Sequence, residues 1–189
     1  MKSVLISIQP KWVEKIASGE KTIEVRKSAP KEVPFKCYIY ETQGQYVKFT
    51  HGAHTKYGYG RGKVIGAFIC DRIEMVNAKC SDYGIDLFYH DCLTNGCLTE
   101  REIEKYFNVP EDRDLRAMKG NGYVWNISDL KIYDKPRELS EFSRPCSYSG
   151  LCFSCKRTSF KKDGNLLCNT KITRPPQSWM YVEDLGEEK

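Results

Sequence analysis

Lys21, Glu24 and Arg26 put an ammonium, a carboxylate and a planar guanidinium into one short stretch of chain. Such a set can offer a nucleotide fixed donors and one acceptor. The cations meet phosphate, and the carboxylate reads an exocyclic amine or acts as a base. On a solvated strand edge the same residues would simply form an ion pair, which is what charged strand faces usually do. A second set is Cys146, Cys152, Cys155 and Cys168, spaced C-x5-C-x2-C-x12-C. The central C-x2-C lets two thiolates of one tight turn bind the same tetrahedral ion, and four thiolates close the set. Glycines and small polar residues surround them (SYSGLCFSC and KKDGNLLC), leaving too few apolar side chains for a core, as expected where a metal does the folding. The expectation is a structural zinc ion, with an iron–sulfur cluster or unliganded thiols as alternatives. Cys80, His90, Cys92 and Cys97 form a further grouping that is either a second metal site or a set of buried side chains.

Elements must position these groups. Val4 to Ile8 reads as a first strand; Pro10 then opens a helix whose apolar stripe is Trp12, Val13, Ile16 and Ala17, and Gly19 caps its end. Lys21 to Lys27 (KTIEVRK) alternates as a strand, with Ile23 and Val25 facing one way and Glu24 and Arg26 the other. Strict alternation puts Lys21 on the opposite face, so it joins the other two only if the turn after Gly19 rotates it. Lys36 to Thr42 is a third strand, and Gln43 to Gly62, rich in glycine and carrying His51 and His54, reads as a long exposed loop. Val64 to Val76 reads as one strand bent or bulged around Gly66, and Cys37 and Cys70 as core residues of apolar strands. Thr99 to Phe107 begins like a capping box, Gly122 to Tyr133 is a strand pair or one bent strand, and Ser178 to Glu183 is the last strand. The sum is a mixed α+β domain around a small, partly open barrel.

Composition sets the bounds. With 189 residues, 40% of them hydrophobic, the chain can bury one sizeable core and is neither disordered nor two full domains. No stretch reaches the length of a membrane span, and the opening MKSVLISIQPKWVEK lacks a signal-peptide core. Nine cysteines are therefore expected to be reduced thiols in a cytoplasmic protein. The net charge of +5 is unevenly spread. Residues 1–36 carry eight Lys and Arg against four Asp and Glu, and residues 144–176 carry seven against one, so the basic regions coincide with the two motifs. The second mixes Lys156, Arg157, Lys161, Lys162, Lys171 and Arg174 with Phe153 and Phe160, a composition that suits a phosphate backbone with occasional stacking.

Gly19, Lys21, Glu24 and Arg26 fall on the four specified positions of GxKxxExR, and the chain thereby resembles the ASCH superfamily, relatives of the PUA domain. The preceding strand, Pro10 and helix are similar to the family's opening. CYIYET and GKVIGAF look like its later strands, and RPPQSWMYVE is similar to the ending of some bacterial members. The resemblance covers roughly residues 2–143 and 172–184. It implies a PUA-like fold, with residues 1–143 and 171–185 as one domain and 144–170 as a Cys-rich, zinc-binding insertion. It also implies binding of RNA or of a modified nucleotide, with Lys21, Glu24 and Arg26 lining a cleft and Tyr40 and Trp125 as further stacking candidates. Some small family members are amidohydrolases of acylated cytidine, and nuclease activity is attributed to others. In the amidohydrolase pattern, GxKTxTxR, a catalytic threonine stands where this chain has Glu24, and a carboxylate cannot replace a hydroxyl nucleophile in amide cleavage. A nucleoside amidohydrolase or ribonuclease is thus the rival expectation, and a protein-interaction adaptor the third.

Overall fold

The computed structural model describes residues 2–51, 54–110, 115–146, 158–160, 166–168 and 170–186. In chain order its elements are β1 (Lys2–Ile8), α1 (Pro10–Ala17), β2 (Ile23–Arg26), β3 (Phe35–Glu41), β4 (Gly44–His51), β5 (His54–Gly60), β6 (Lys63–Cys70), β7 (Ile73–Asn77), α2 (Asp82–Thr94), α3 (Glu100–Phe107), β8 (Asn121–Asn126), β9 (Ser128–Arg137), β10 (Thr158–Phe160), β11 (Leu166–Cys168) and β12 (Trp179–Val182). β1 is a nearly continuous apolar run because it lies inside a five-stranded sheet, ordered β12-β1-β3-β6-β9, and both its faces are covered. Val4, Ile6 and Ile8 point to one face and Leu5 to the other. β1 and β3 run parallel, joined by the crossover that contains α1 and β2.

A second sheet, ordered β2-β8-β7, faces the first. The chain passes directly between the sheets twice, from β6 to β7 and from β8 to β9, and the Asn126 amide donates to the Arg72 carbonyl at 3.0 Å. Three apolar layers result. Val13 and Ile16 of α1 and Trp125 of β8 pack between the two sheets. Ile23, Val25 and Val124 pack under α2 and α3 with Phe88 and Phe107. Leu5, Tyr38 and Val64 pack on the outer face of the large sheet with Phe142 and Ile172. The expected mixed α+β class holds; among the described strands no closed barrel forms, and the sheet core consists of two facing sheets with a separate hairpin. No helix among the described residues is long and apolar enough to cross a membrane.

Three expectations change. The stretch read as a loop from Gln43 to Gly62 contains the β4–β5 hairpin, in which Gly44 pairs Gly60 and Tyr46 pairs Gly58. A Cβ at Gly58 would meet the far end of the Tyr46 ring, which lies over that position. Val64 to Val76 is two strands in different sheets, broken at Asp71-Arg72 rather than bent at Gly66, although the β3–β6 register does shift near Gly66. α2 is an element the sequence pattern does not announce, because Gly84 interrupts its first turn and its exposed face carries Tyr83 and Leu87 beside Asp82 and Asp86, which blurs the helical stripe. By contrast, Thr99 caps α3 as expected, with its hydroxyl and the Glu102 carboxylate satisfying each other's backbone amides. The chain comes together at the two ends of residues 144–170: Ser143 faces Lys171, and the Arg144 amide donates to the Thr170 carbonyl at 2.8 Å.

Candidate functional site

β2 is an edge strand of the small sheet, and Glu24 and Arg26 sit on its face toward the large one, at the open end of the layer between the sheets. Lys21 joins them because it is not part of the strand. Gly19 takes a positive φ of 80°, the Lys21 amide turns back to the Lys15 carbonyl at 2.9 Å, and the β2 ladder begins only at Ile23. The Lys21 ammonium then donates to the Gly96 carbonyl at 2.8 Å and lies 3.5 Å from Glu24 Oε2. Gly96 has no room for a side chain, since a Cβ would lie 2.6 Å from the Cys92 carbonyl oxygen, and the next residue, Cys97, holds a left-handed φ of 53°. Arg26 Nη2 donates to the Ser7 carbonyl at 2.7 Å and pairs with Glu24 Oε1 at 2.9 Å.

The three groups are deeply placed: Lys21 is 3% exposed, Glu24 6% and Arg26 9%. Their hydrogen bonding is incomplete. Glu24 Oε2 and Arg26 Nε are buried without a hydrogen-bond partner in the protein, the 3.5 Å approach of Lys21 being an ion pair rather than a hydrogen bond. Buried polar atoms are rarely left so, and both belong to side chains that line a cleft of about 770 Å³. One wall of the cleft is α1, with Lys11 and Trp12; the other is α3, with Glu102, Lys105 and Tyr106. Lys11 Nζ bonds Glu102 Oε1 at 2.5 Å and lies 4.1 Å from the Trp12 ring centroid. Burial alone would raise the Glu102 carboxyl, but the Lys11 ammonium and the Thr99 amide and hydroxyl together hold it below its ordinary range. Burial raises the Tyr106 phenol, and Lys27 stands 5.0 Å from its ring.

Of the five residues expected to line a ligand site, the fold brings Lys21, Glu24 and Arg26 together. Tyr40 and Trp125 lie elsewhere, and the stacking role expected of them is corrected. Trp125 pairs with Glu24 across the β2–β8 ladder, yet its ring is 0% exposed and packs edge-on against Phe35 and Trp179. Tyr40 is 6% exposed and packs with Leu5 and Val64 on the outer face of the large sheet. The aromatic rings that do line the cleft, Trp12 and Tyr106, were not singled out in the sequence. By spacing Trp12 belongs to the apolar stripe of α1, and nothing in the sequence places α3 opposite α1.

The cysteine motif falls largely outside the described residues. Cys152 and Cys155 lie beyond them; Cys146 is exposed; Cys168 ends β11, paired with Thr158 of β10. Among the described residues no group of three or more His, Cys, Asp or Glu is placed to hold a metal, so Cys80, His90, Cys92 and Cys97 do not gather into a second site. Cys92 is instead buried under α2, where burial pushes its thiol up to about 12, while His90 is exposed. The backbones of His51 and His54 pair at the tip of the β4–β5 hairpin.

No protein-family model matches the chain, and no curated protein matches it. Solved structures do. A crystal structure of ASCH from Zymomonas mobilis superposes with a TM-score of 0.56 at 18% identity, covering 96% of this chain and 88% of that one. The S128A mutant of ZmASCH from the same organism gives a TM-score of 0.56 at 17% identity, covering 96% and 89%. At such identities the likeness concerns the backbone arrangement, and on that ground the chain has the ASCH-domain fold.

Proposed function

We propose that the cleft between α1 and α3 binds a nucleotide of RNA, or a modified nucleotide within nucleic acid. The observation that carries this reading is the pair of unpartnered buried atoms, Glu24 Oε2 and Arg26 Nε, at the back of a cleft of about 770 Å³. That volume is of the size that encloses small-molecule ligands. Glu24 and Arg26 place an acceptor and a donor in the cleft lining, the kinds of group that read a base edge offering an amine or imide N–H and a carbonyl or ring nitrogen. Trp12 and Tyr106 supply flat apolar surface for a base, and the exposed lysines of the rim, Lys27 and Lys105, supply charge for its phosphates. The test is fluorescence anisotropy of short single-stranded RNAs against purified protein. Binding that weakens with salt and falls at least tenfold in Arg26→Gln supports the reading; no binding to any RNA, or an unchanged affinity in Arg26→Gln, refutes it.

A hydrolase of the same fold is the second reading, favoured by one observation: a buried ammonium stands 3.5 Å from a carboxylate oxygen at the ligand-facing end of the site. Such a pair is suited to moving a proton and to balancing charge on a phosphodiester or a modified base. Incubating the protein with RNA and with acylated nucleosides, followed by chromatography, separates turnover from binding. A structural zinc ion on Cys146, Cys152, Cys155 and Cys168 belongs to the same proposal, supported by the C-x2-C spacing and by the short β10–β11 hairpin that holds Cys168 opposite Thr158. A protein of this type would work in the cytoplasm.

A further inference from the structure

The lysines at the rim of the cleft are not equivalent. Lys11, on the α1 wall, is spent: its ammonium is 2.5 Å from Glu102 Oε1, and that carboxylate is fixed in turn by the Thr99 amide and hydroxyl, each 3.0 Å from Glu102 Oε2. Lys27 follows directly on Arg26, and Lys105 lies in the last turn of α3; both are exposed and both line the cleft. Among the described residues neither has a carboxylate within ion-pair distance. Lys27 has only the Tyr106 ring beneath it, at 5.0 Å. Arg26, the residue before Lys27, is nine-tenths buried and already paired with Glu24 Oε1 at 2.9 Å, so the unpaired ammonium groups are those of the two exposed lysines. Positive charge without a local partner is therefore confined to one wall, around Tyr106, while the Trp12 wall is electrically balanced.

We infer that the cleft is polarised. The phosphodiester of the bound nucleotide is held at Lys27 and Lys105, and the base points toward Trp12, where Glu102 keeps Lys11 from taking a second phosphate. This deepens the binding reading above and rests on it. Exposed ammonium groups with no counter-ion in the protein recruit phosphate and release condensed counter-ions on binding, whereas an ammonium already paired with a fixed carboxylate releases few. Glu102 is thus a positioning residue: it touches no phosphate but decides which wall does.

The salt dependence of binding reads this directly. A short fluorescein-labelled single-stranded RNA is titrated with the full chain over a range of NaCl concentrations, for the wild type, Lys27→Ala/Lys105→Ala, Lys11→Ala and Glu102→Gln. The lysine pair is exposed, so its replacement leaves the fold intact, and glutamine at 102 preserves the capping box. Each lost phosphate contact on a single strand removes about 0.7 from the slope of log K against log salt, so the double variant should be shallower by about 1.4. Lys11→Ala should keep the wild-type slope, and Glu102→Gln, which frees Lys11, should be steeper by about 0.7. An unchanged slope in Lys27→Ala/Lys105→Ala, or a slope lost equally in Lys11→Ala, overturns the polarised cleft while leaving nucleotide binding standing. No salt-dependent binding by the wild type overturns both. Inorganic polyphosphate that displaces the RNA as well as unlabelled RNA does overturns the claim that a nucleotide, and not charge alone, is what the cleft accepts.

Discussion

Replacing Glu24 by glutamine keeps the shape of the side chain and deletes the one negative charge between two buried cations. Lys21 and Arg26 have side chains 2% and 10% exposed, so water cannot take over the role of the carboxylate. Breaking a buried ion pair by removing one partner costs about 3–5 kcal/mol, because the other charge stays buried and uncompensated. Each cation here keeps one backbone carbonyl, Gly96 at 2.8 Å for Lys21 and Ser7 at 2.7 Å for Arg26, which places the expected loss near the lower end, ~3 kcal/mol. For a chain of this length that corresponds to a midpoint lowered by about 6–12 °C. Urea titration followed by circular dichroism measures the loss, and Glu32→Gln, at the exposed Lys2–Glu32 pair, should leave the curve in place. A double-mutant cycle with Lys21→Met should return a coupling of ~1 kcal/mol or more. If Glu24→Gln costs less than ~1 kcal/mol, as exposed pairs do, the three groups are solvent-screened and the argument for a desolvated, ligand-facing cluster is wrong.

The remaining predictions concern thiols, protons and metal. Burial pushes the Cys92 and Cys70 thiols each up to about 12 and holds the Cys37 thiol well above its ordinary value, so native protein at pH 8 should leave all three unalkylated by iodoacetamide, the thiolate fraction of Cys92 and Cys70 being about one in ten thousand. Mass spectrometry finding any of them modified before unfolding would contradict the packing described. Freshly purified protein should carry about one equivalent of zinc; less than about half an equivalent of zinc or iron refutes the four-cysteine site. Exposed Cys146 should be alkylated after chelation and protected when zinc is restored. The Glu102 carboxyl is held below its ordinary value in the folded chain, so on acidification the unfolded state takes up its proton first. The stability contributed by the Lys11–Glu102–Thr99 contact is therefore full above the ordinary carboxyl value of 4.5 and is lost as pH falls through the lower folded value. Unfolding midpoints of wild type and Glu102→Gln should converge over that window, and a constant difference down to pH 2 would contradict the contact.

What the sequence determined by itself was the local grammar. Pro10 and Gly19 bound α1, Thr99 and Glu102 cap α3, and the alternation of Ile23 and Val25 with Glu24 and Arg26 assigns the two faces of β2, because each of these rests on neighbours a few residues apart. Tertiary structure decided everything that depends on which elements meet. It turned Lys21 onto Glu24 through a left-handed glycine, and used Trp125, a plausible stacking residue by type, to fill the core between the sheets. It also split the run of residues 64–76 between two sheets at Asp71-Arg72, because two charged residues suit the outward positions of a single strand as well as a change of layer. The cleft itself belongs to this second kind. Its far wall is α3, roughly eighty residues beyond Glu24, and only packing against Ile23, Val25 and Val124 sets Glu102, Lys105 and Tyr106 opposite α1. Charge type is written in the sequence, but whether a lysine is spent on a neighbour or left for a ligand is a matter of distance, and distance exists only in the fold.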